Sequence, residues 1–134
     1  MVRKSLFTAV ALTAALSAPS PFAAENNYVP TRTILQQTDV PGSNYTVILA
    51  LTDIAPKMTA ARHTHPGVEI SYVLAGEGDF IIEGKGTMHV KAGQSFRLEA
   101  GVKHSVVNGA AGDMKILAVY TIPKGAPLAT PAPE

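Results

Sequence analysis

Turn signals recur along this chain at short, nearly even intervals, and they constrain its fold more than any other feature. Pro41-Gly42-Ser43-Asn44 precedes "YTVILALTDI", which is β-branched and aromatic. "VEISYVLAG" ends at Gly76-Glu77-Gly78, and "DFIIEGKG" runs into Gly84-Lys85-Gly86. "TMHVKAG", "QSFRLEAG", "HSVVNGAAG" and "MKILAVYTI" follow, each closed by glycine or proline. Strand-like runs every 8 to 12 residues with turn residues between them predict an all-β sandwich or barrel. No stretch after the N-terminus sustains a 3.6-residue apolar period, so a helical fold is excluded.

The length of 134 residues suits one domain. No cysteine is present, which removes disulfides, thiolate catalysis and cysteine-bound zinc together. The opening "MVRKSLFTAVALTAALSAPSPFAAENN" runs from Arg3 and Lys4 through an apolar stretch to small residues and prolines. That order predicts a secretory signal over residues 1–24 and a periplasmic location. Its apolar stretch is too short to span a bilayer, so no stable membrane insertion is expected after cleavage. Eleven bases face ten acids in the whole chain, and nine face ten once Arg3 and Lys4 are removed. No basic patch is then left to neutralise a row of phosphates, and nucleic acid is not an expected partner. The final stretch "PKGAPLATPAPE" reads as an extended or loose tail.

Chemistry concentrates in "ARHTHPGVEISYVLAGEG". Residues two apart on a strand share a face, so His63 and His65 point the same way. Pro66-Gly67 then turns the chain, and a hairpin there returns Glu69 beside the two imidazoles. Parity places Ser71 and Val73 inward with Glu69, and Ile70, Tyr72 and Leu74 outward. A later stretch, "GQSFRLEAGVKHSVVN", carries His104, Val106 and Asn108 on one face after a turn at Glu99-Ala100-Gly101. Imidazole and carboxylate suit a divalent transition metal at neutral pH. His89 falls opposite Met88 and Val90 and is expected to face solvent. Asn108 reads as a barrel-facing or turn-capping residue, and Tyr72 and Tyr120 as packing or interface residues.

Together these two stretches resemble the motifs of the cupins, in particular the small single-domain bacterial cupins of the conserved-barrel type. The first motif appears as His63-Thr64-His65, three residues, Glu69, six residues and Gly76. The second appears as Gly93, five residues, Glu99-Ala100-Gly101, two residues, His104, three residues and Asn108. Glu99 stands where proline is usual, Gln94 where aspartate often follows the glycine, and Lys57 where a leading glycine is found. The resemblance covers about Thr46 to Thr121. It implies a jelly-roll barrel, or double-stranded β-helix, over residues 46–121, with residues 25–45 as an N-terminal arm and 122–134 as the tail.

The resemblance further implies that His63, His65, Glu69 and His104 hold one divalent transition metal, whether Fe, Mn, Ni, Co, Zn or Cu. Four protein ligands leave positions open to water or a small molecule, unlike a closed structural zinc site. Glu69 can leave the metal and act as a base. Similarity to the quercetin-dioxygenase-like group implies an oxidoreductase acting on a small, oxygen-rich chelating substrate. A non-catalytic periplasmic module for a metal or small ligand is the alternative, as is a metal-dependent lyase or isomerase. The outward stripe Ile70, Tyr72 and Leu74 is expected to be covered either by Thr31–Gln37 or by a second subunit in a homodimer.

Overall fold

A computed structural model describes residues 28–133. The predicted signal segment lies outside the described residues. Ten strands follow in order: β1 (Thr31–Asp39), β2 (Tyr45–Ile54), β3 (Thr59–Thr64), β4 (Val68–Ala75), β5 (Glu77–Ile82), β6 (Gly86–Lys91), β7 (Ser95–Leu98), β8 (His104–Val107), β9 (Met114–Pro123) and β10 (Thr130–Pro131). They form two antiparallel five-stranded sheets, one ordered β1-β2-β9-β4-β7 and the other β10-β3-β8-β5-β6. The all-β architecture predicted from the turn spacing is therefore observed, in the two-sheet jelly-roll form that the resemblance implies. No helix among the described residues is long and apolar enough to cross a membrane.

Period-two alternation builds the interior. Along β9, Met114, Ile116, Ala118, Tyr120 and Ile122 are buried while the residues between them are half-buried on the opposite face. β2 repeats the pattern with Thr46, Ile48, Ala50, Thr52 and Ile54. The two strands pair in continuous register from Tyr45↔Pro123 to Ile54↔Met114, so their inward rows coincide. The sheets meet across an apolar core in which Phe80 of β5 and Phe96 of β7 pack with ring centroids 4.4 Å apart. Burying a large apolar side chain of this kind stabilises by about 1.5–3 kcal/mol.

Two connections differ from the sequence expectation. β3 and β4 belong to different sheets, so Pro66-Gly67 is not the turn of a hairpin. It is the step from one sheet to the other, and Glu69 reaches the histidines across the sandwich. Gly67 is required at that step, because a Cβ there would lie 1.8 Å from the Thr121 carbonyl oxygen. β1 lies in the stretch read as an arm. It is mostly exposed and carries no apolar alternation, so it left no strand signal. It pairs with β2 at the sheet edge and leaves Ile70, Tyr72 and Leu74 on β4 exposed. The tail is tied down as well: β10 pairs with β3 through Thr130↔Thr64 and Pro131↔His63.

Candidate metal centre

One end of the sandwich interior is polar, and the histidines gather there. β3 delivers His63, and His65 follows just beyond its end. β8 delivers His104, which pairs with His63 in the sheet. Their ring centroids lie 4.3 to 5.3 Å apart, and one nitrogen from each falls within 4.8 Å of the others. A register shift in the β3–β8 ladder between Ala60 and His63 helps aim these side chains. The turn before His104 is fixed by Gly101, whose φ is +76° and whose N–H donates to the His65 carbonyl at 2.8 Å. That bond joins the segment carrying His65 to the segment delivering His104.

Hydrogen bonding settles the tautomers. His63 Nδ1 lies 2.8 Å from the Ala61 carbonyl oxygen, His65 Nδ1 2.6 Å from that of Leu128, and His104 Nδ1 3.0 Å from that of Val102. A carbonyl only accepts, so each Nδ1 carries the proton and donates it. In a neutral ring so bonded, Nε2 carries the lone pair, the form in which imidazole ligates a metal. Burial lowers the His63 pKa to about 4, assisted by the nearby His104. Burial also lowers that of His104, against the pull of its bond to Val102 and the charge of Glu69. Both rings are therefore neutral at pH 7.

Glu69 enters from β4 in the facing sheet and is 4% exposed. Its Oε1 accepts from the Ser71 hydroxyl at 2.6 Å. Its Oε2 is buried without a hydrogen-bond partner and lies 3.2 Å from His65 Nε2. Burial pushes this carboxyl up, but the contact with His65, the Ser71 hydroxyl and the charge of His104 outweigh it and hold the pKa below the ordinary value. With its Nδ1 donating to Leu128, His65 turns Nε2 toward Glu69 Oε2 at 3.2 Å; a proton on Nε2 makes this an ion pair, and without that proton both atoms are acceptors. A metal ion can stand where that proton would, and one nitrogen from each of the three histidines converges on the same space. The three histidines can thus hold a metal, and this donor set suits a divalent transition ion.

The remaining wall combines apolar and polar groups. Phe80, Ile54, Val106 and Ile116 form its inner end. Tyr120, which pairs with Glu69 in register, packs on His65 with centroids 4.7 Å apart. Burial and the Glu69 charge raise its pKa, against opposing effects from Arg32 and a hydrogen bond with Thr52, so the phenol is neutral. Arg32 on β1 stands 5.9 Å from the Tyr120 ring centroid, and its Nε donates to Thr52 Oγ1 at 3.4 Å. The sequence alone marked Tyr120 as a packing or interface residue and did not mark Thr52 or Arg32. Inward parity on β9 and β2 was the available signal for the first two, whereas nothing in the sequence of β1 marks Arg32.

Other candidates lie elsewhere. His89 is exposed on β6, 2.7 Å from Asp79 Oδ1 and 3.7 Å from Glu77 Oε2. Asn108 is fully buried away from the histidines. Its Nδ2 donates to the carbonyls of Ile54, Ala55 and Gly112 at 2.9, 3.2 and 2.9 Å, and its Oδ1 accepts from the Ala110 N–H at 3.1 Å. It ties the end of β2 to the loop between β8 and β9. Tyr72 faces solvent with Ile70 and Leu74.

Comparison with known proteins agrees with this architecture. The chain is 40% identical over 63 residues to the HTH-type transcriptional regulator PuuR of Escherichia coli, covering 47% of this chain and 34% of that protein. It is 35% identical over 76 residues to the oxalate-binding protein of Thermotoga maritima, covering 56% of this chain and 62% of that one. It therefore spans about a third of the first relative and less than two thirds of the second. A conserved protein with a double-stranded β-helix domain from Klebsiella pneumoniae superposes with a TM-score of 0.62 at 22% identity, over 81% of this chain and 88% of the other. The sequence model of the cupin domain matches residues 50–120, more than half of the chain. On that match, and with this fold, the chain belongs to the cupin family.

Proposed function

We propose that His63, His65, Glu69 and His104 together hold one divalent transition metal and that a small, oxygen-rich ligand chelates it at the mouth of the barrel. The carrying observation is Glu69 Oε2, buried without a hydrogen-bond partner, facing His65 Nε2 beside the converging nitrogens of the three histidines. When bound there, the ion supplies Lewis acidity and open positions for an oxygen donor. The chain supplies the rest. Tyr120 offers a neutral phenol, Glu69 Oε2 can take up a proton, and Phe80 and Ile116 exclude water from the inner wall.

The reaction class this site suits best is dioxygen-dependent oxidation of an enol, diketone or flavonol by a metal-dependent oxidoreductase of the quercetin-dioxygenase-like group. Dioxygen uptake by the metal-loaded protein across such a panel tests it. Consumption that needs both ligand and metal supports the reading, and no consumption with any ligand overturns it. A second reading, a module that binds its ligand without converting it, draws on the 35% identity to a protein named for binding oxalate. Ligand recovered unchanged after saturation binding would favour that module.

The N-terminal sequence supports export to the periplasm. N-terminal sequencing of the mature protein tests both the cleavage and its position. The exposed Ile70, Tyr72 and Leu74 continue across the sheet into Leu117 and Val119 of β9, an apolar face that suits a homodimer. Ile70→Ser together with Leu74→Ser should convert that dimer to monomer in sedimentation.

A further inference from the structure

The space directly before the three histidines is small, about 20 Å³, enough for one water-sized particle. Anything larger that reaches the centre must therefore lie mostly outside it. An adjoining groove of about 220 Å³ provides the room. The segment at Tyr28–Pro30 forms one side, β3 the floor, and Ala129 and Pro131 of the tail the other side. Its walls are mainly apolar. Arg32 and His63 line both spaces and so mark the passage between them.

Two guanidinium groups border this groove, and they differ. Arg62 is paired with Glu83 at 2.5 Å and also reaches the Ala132 carbonyl at 3.5 Å. Arg32 takes part in none of the ion pairs among the described residues. Among the described residues only its Nε is engaged, with Thr52, which leaves its two terminal amino groups to donate. No carboxylate among the described residues lines the groove, and Glu69 lines the inner pocket instead. A half-buried guanidinium held in place by Thr52 and Tyr120, with its fork unfilled, has the geometry that binds a carboxylate through two parallel hydrogen bonds.

We propose that Arg32 anchors the acid head of a small carboxylate whose short apolar or aromatic body lies in this groove. The placement of the ligand's other oxygen donors toward His63, His65 and His104 rests on the metal reading above, whereas the Arg32 contact does not. β1 thus supplies the residue that selects an acid over a neutral chelator of the same shape.

A matched pair of probes tests this. Benzoylformate carries a carboxylate beside a ketone on a phenyl ring. Its neutral methyl ketone analogue replaces the carboxylate with acetyl and keeps the ring and the two adjacent oxygens. Both are titrated by calorimetry into metal-free and zinc-loaded protein, with zinc content measured separately. Arg32→Gln should weaken benzoylformate by about tenfold or more, the usual effect of losing a charged hydrogen-bond pair, and shift the neutral analogue by less than about threefold. Arg32→Lys, which keeps the charge and loses the fork, should fall between. Equal loss for both probes, or loss for neither, overturns the proposal, as does tighter binding of the neutral analogue to the wild type. If zinc does not bind but the acid preference still depends on Arg32, the metal reading fails and the anchor stands. If zinc binds and the preference ignores Arg32, the reverse holds.

Discussion

β8 carries two buried polar residues four positions apart on one face, and they have opposite fates. Asn108, just past its end, is fully buried and fully bonded: its amide serves three carbonyls and accepts one N–H. His104, at its start, bonds the Val102 carbonyl through Nδ1 and brings its other nitrogen to the cluster shared with His63 and His65. Glu69 Oε2, across that space, has no partner. Folding completes the first cluster and leaves the second incomplete. A buried polar group without a partner costs about 1–3 kcal/mol, so the incomplete cluster is a standing cost that a bound cation would offset. Structural and functional polar residues are thus told apart here by whether the protein alone satisfies them.

The largest expected effect breaks the completed side. Asn108→Ala removes its bonds to the Ile54, Ala55 and Gly112 carbonyls and to the Ala110 N–H, of which the Ala55 carbonyl alone is seen to keep another donor, the Met58 N–H. It should lower unfolding stability by about 3–5 kcal/mol in a denaturant titration, a large part of the total for a domain this size. Its effect on metal uptake by the molecules that remain folded should be small. If stability barely changes, the contrast between the two clusters loses its structural half.

Acid acts on the incomplete side. His63 has a folded pKa of about 4 against an unfolded value near 6.5. Between those values the unfolded chain binds a proton that the native ring refuses. The associated stability is therefore fully present above about pH 6.5 and is lost as pH falls toward 4. Metal-free protein should lose on the order of 2 kcal/mol over this window, after discounting for partial exposure of the ring. A melting temperature that is flat between pH 7 and 4.5 would contradict the buried neutral imidazole.

A smaller effect sharpens the comparison most. Glu69→Gln supplies an amide N–H that can donate to His65 Nε2 and converts two opposed acceptors into a hydrogen bond. The metal-free variant should be more stable than the wild type by about 1 kcal/mol while binding metal more weakly. Destabilisation of the metal-free variant would show that Glu69 is already satisfied in the wild type.

Much of this site was legible because strand parity is a local rule. The spacing His63-x-His65 and the alternation around Glu69 and His104 depend only on neighbours two residues away. The same rule placed Ile70, Tyr72 and Leu74 on the outer face, and they are exposed there. The route by which Glu69 arrives was not legible, because a proline-glycine step between sheets looks in sequence like a hairpin turn. Only the close approach of Gly67 to Thr121 distinguishes them. Arg32 was illegible for a different reason. β1 is an exposed edge strand whose sequence lacks alternation, and it is specified by its pairing with β2 more than by its own residues. The Leu128 carbonyl that fixes the His65 tautomer comes from a tail whose composition predicts no structure.

The central claim is that folding leaves a cation-shaped gap among His63, His65, Glu69 and His104. Elemental analysis after incubation with a divalent transition metal and exhaustive dialysis tests it most directly, with His104→Ala measured beside the wild type. The expected result is one ion per wild-type chain and an affinity lower by more than about 100-fold in the variant, which should remain folded. A wild type that retains no metal, or a variant that retains as much as the wild type, would contradict the account.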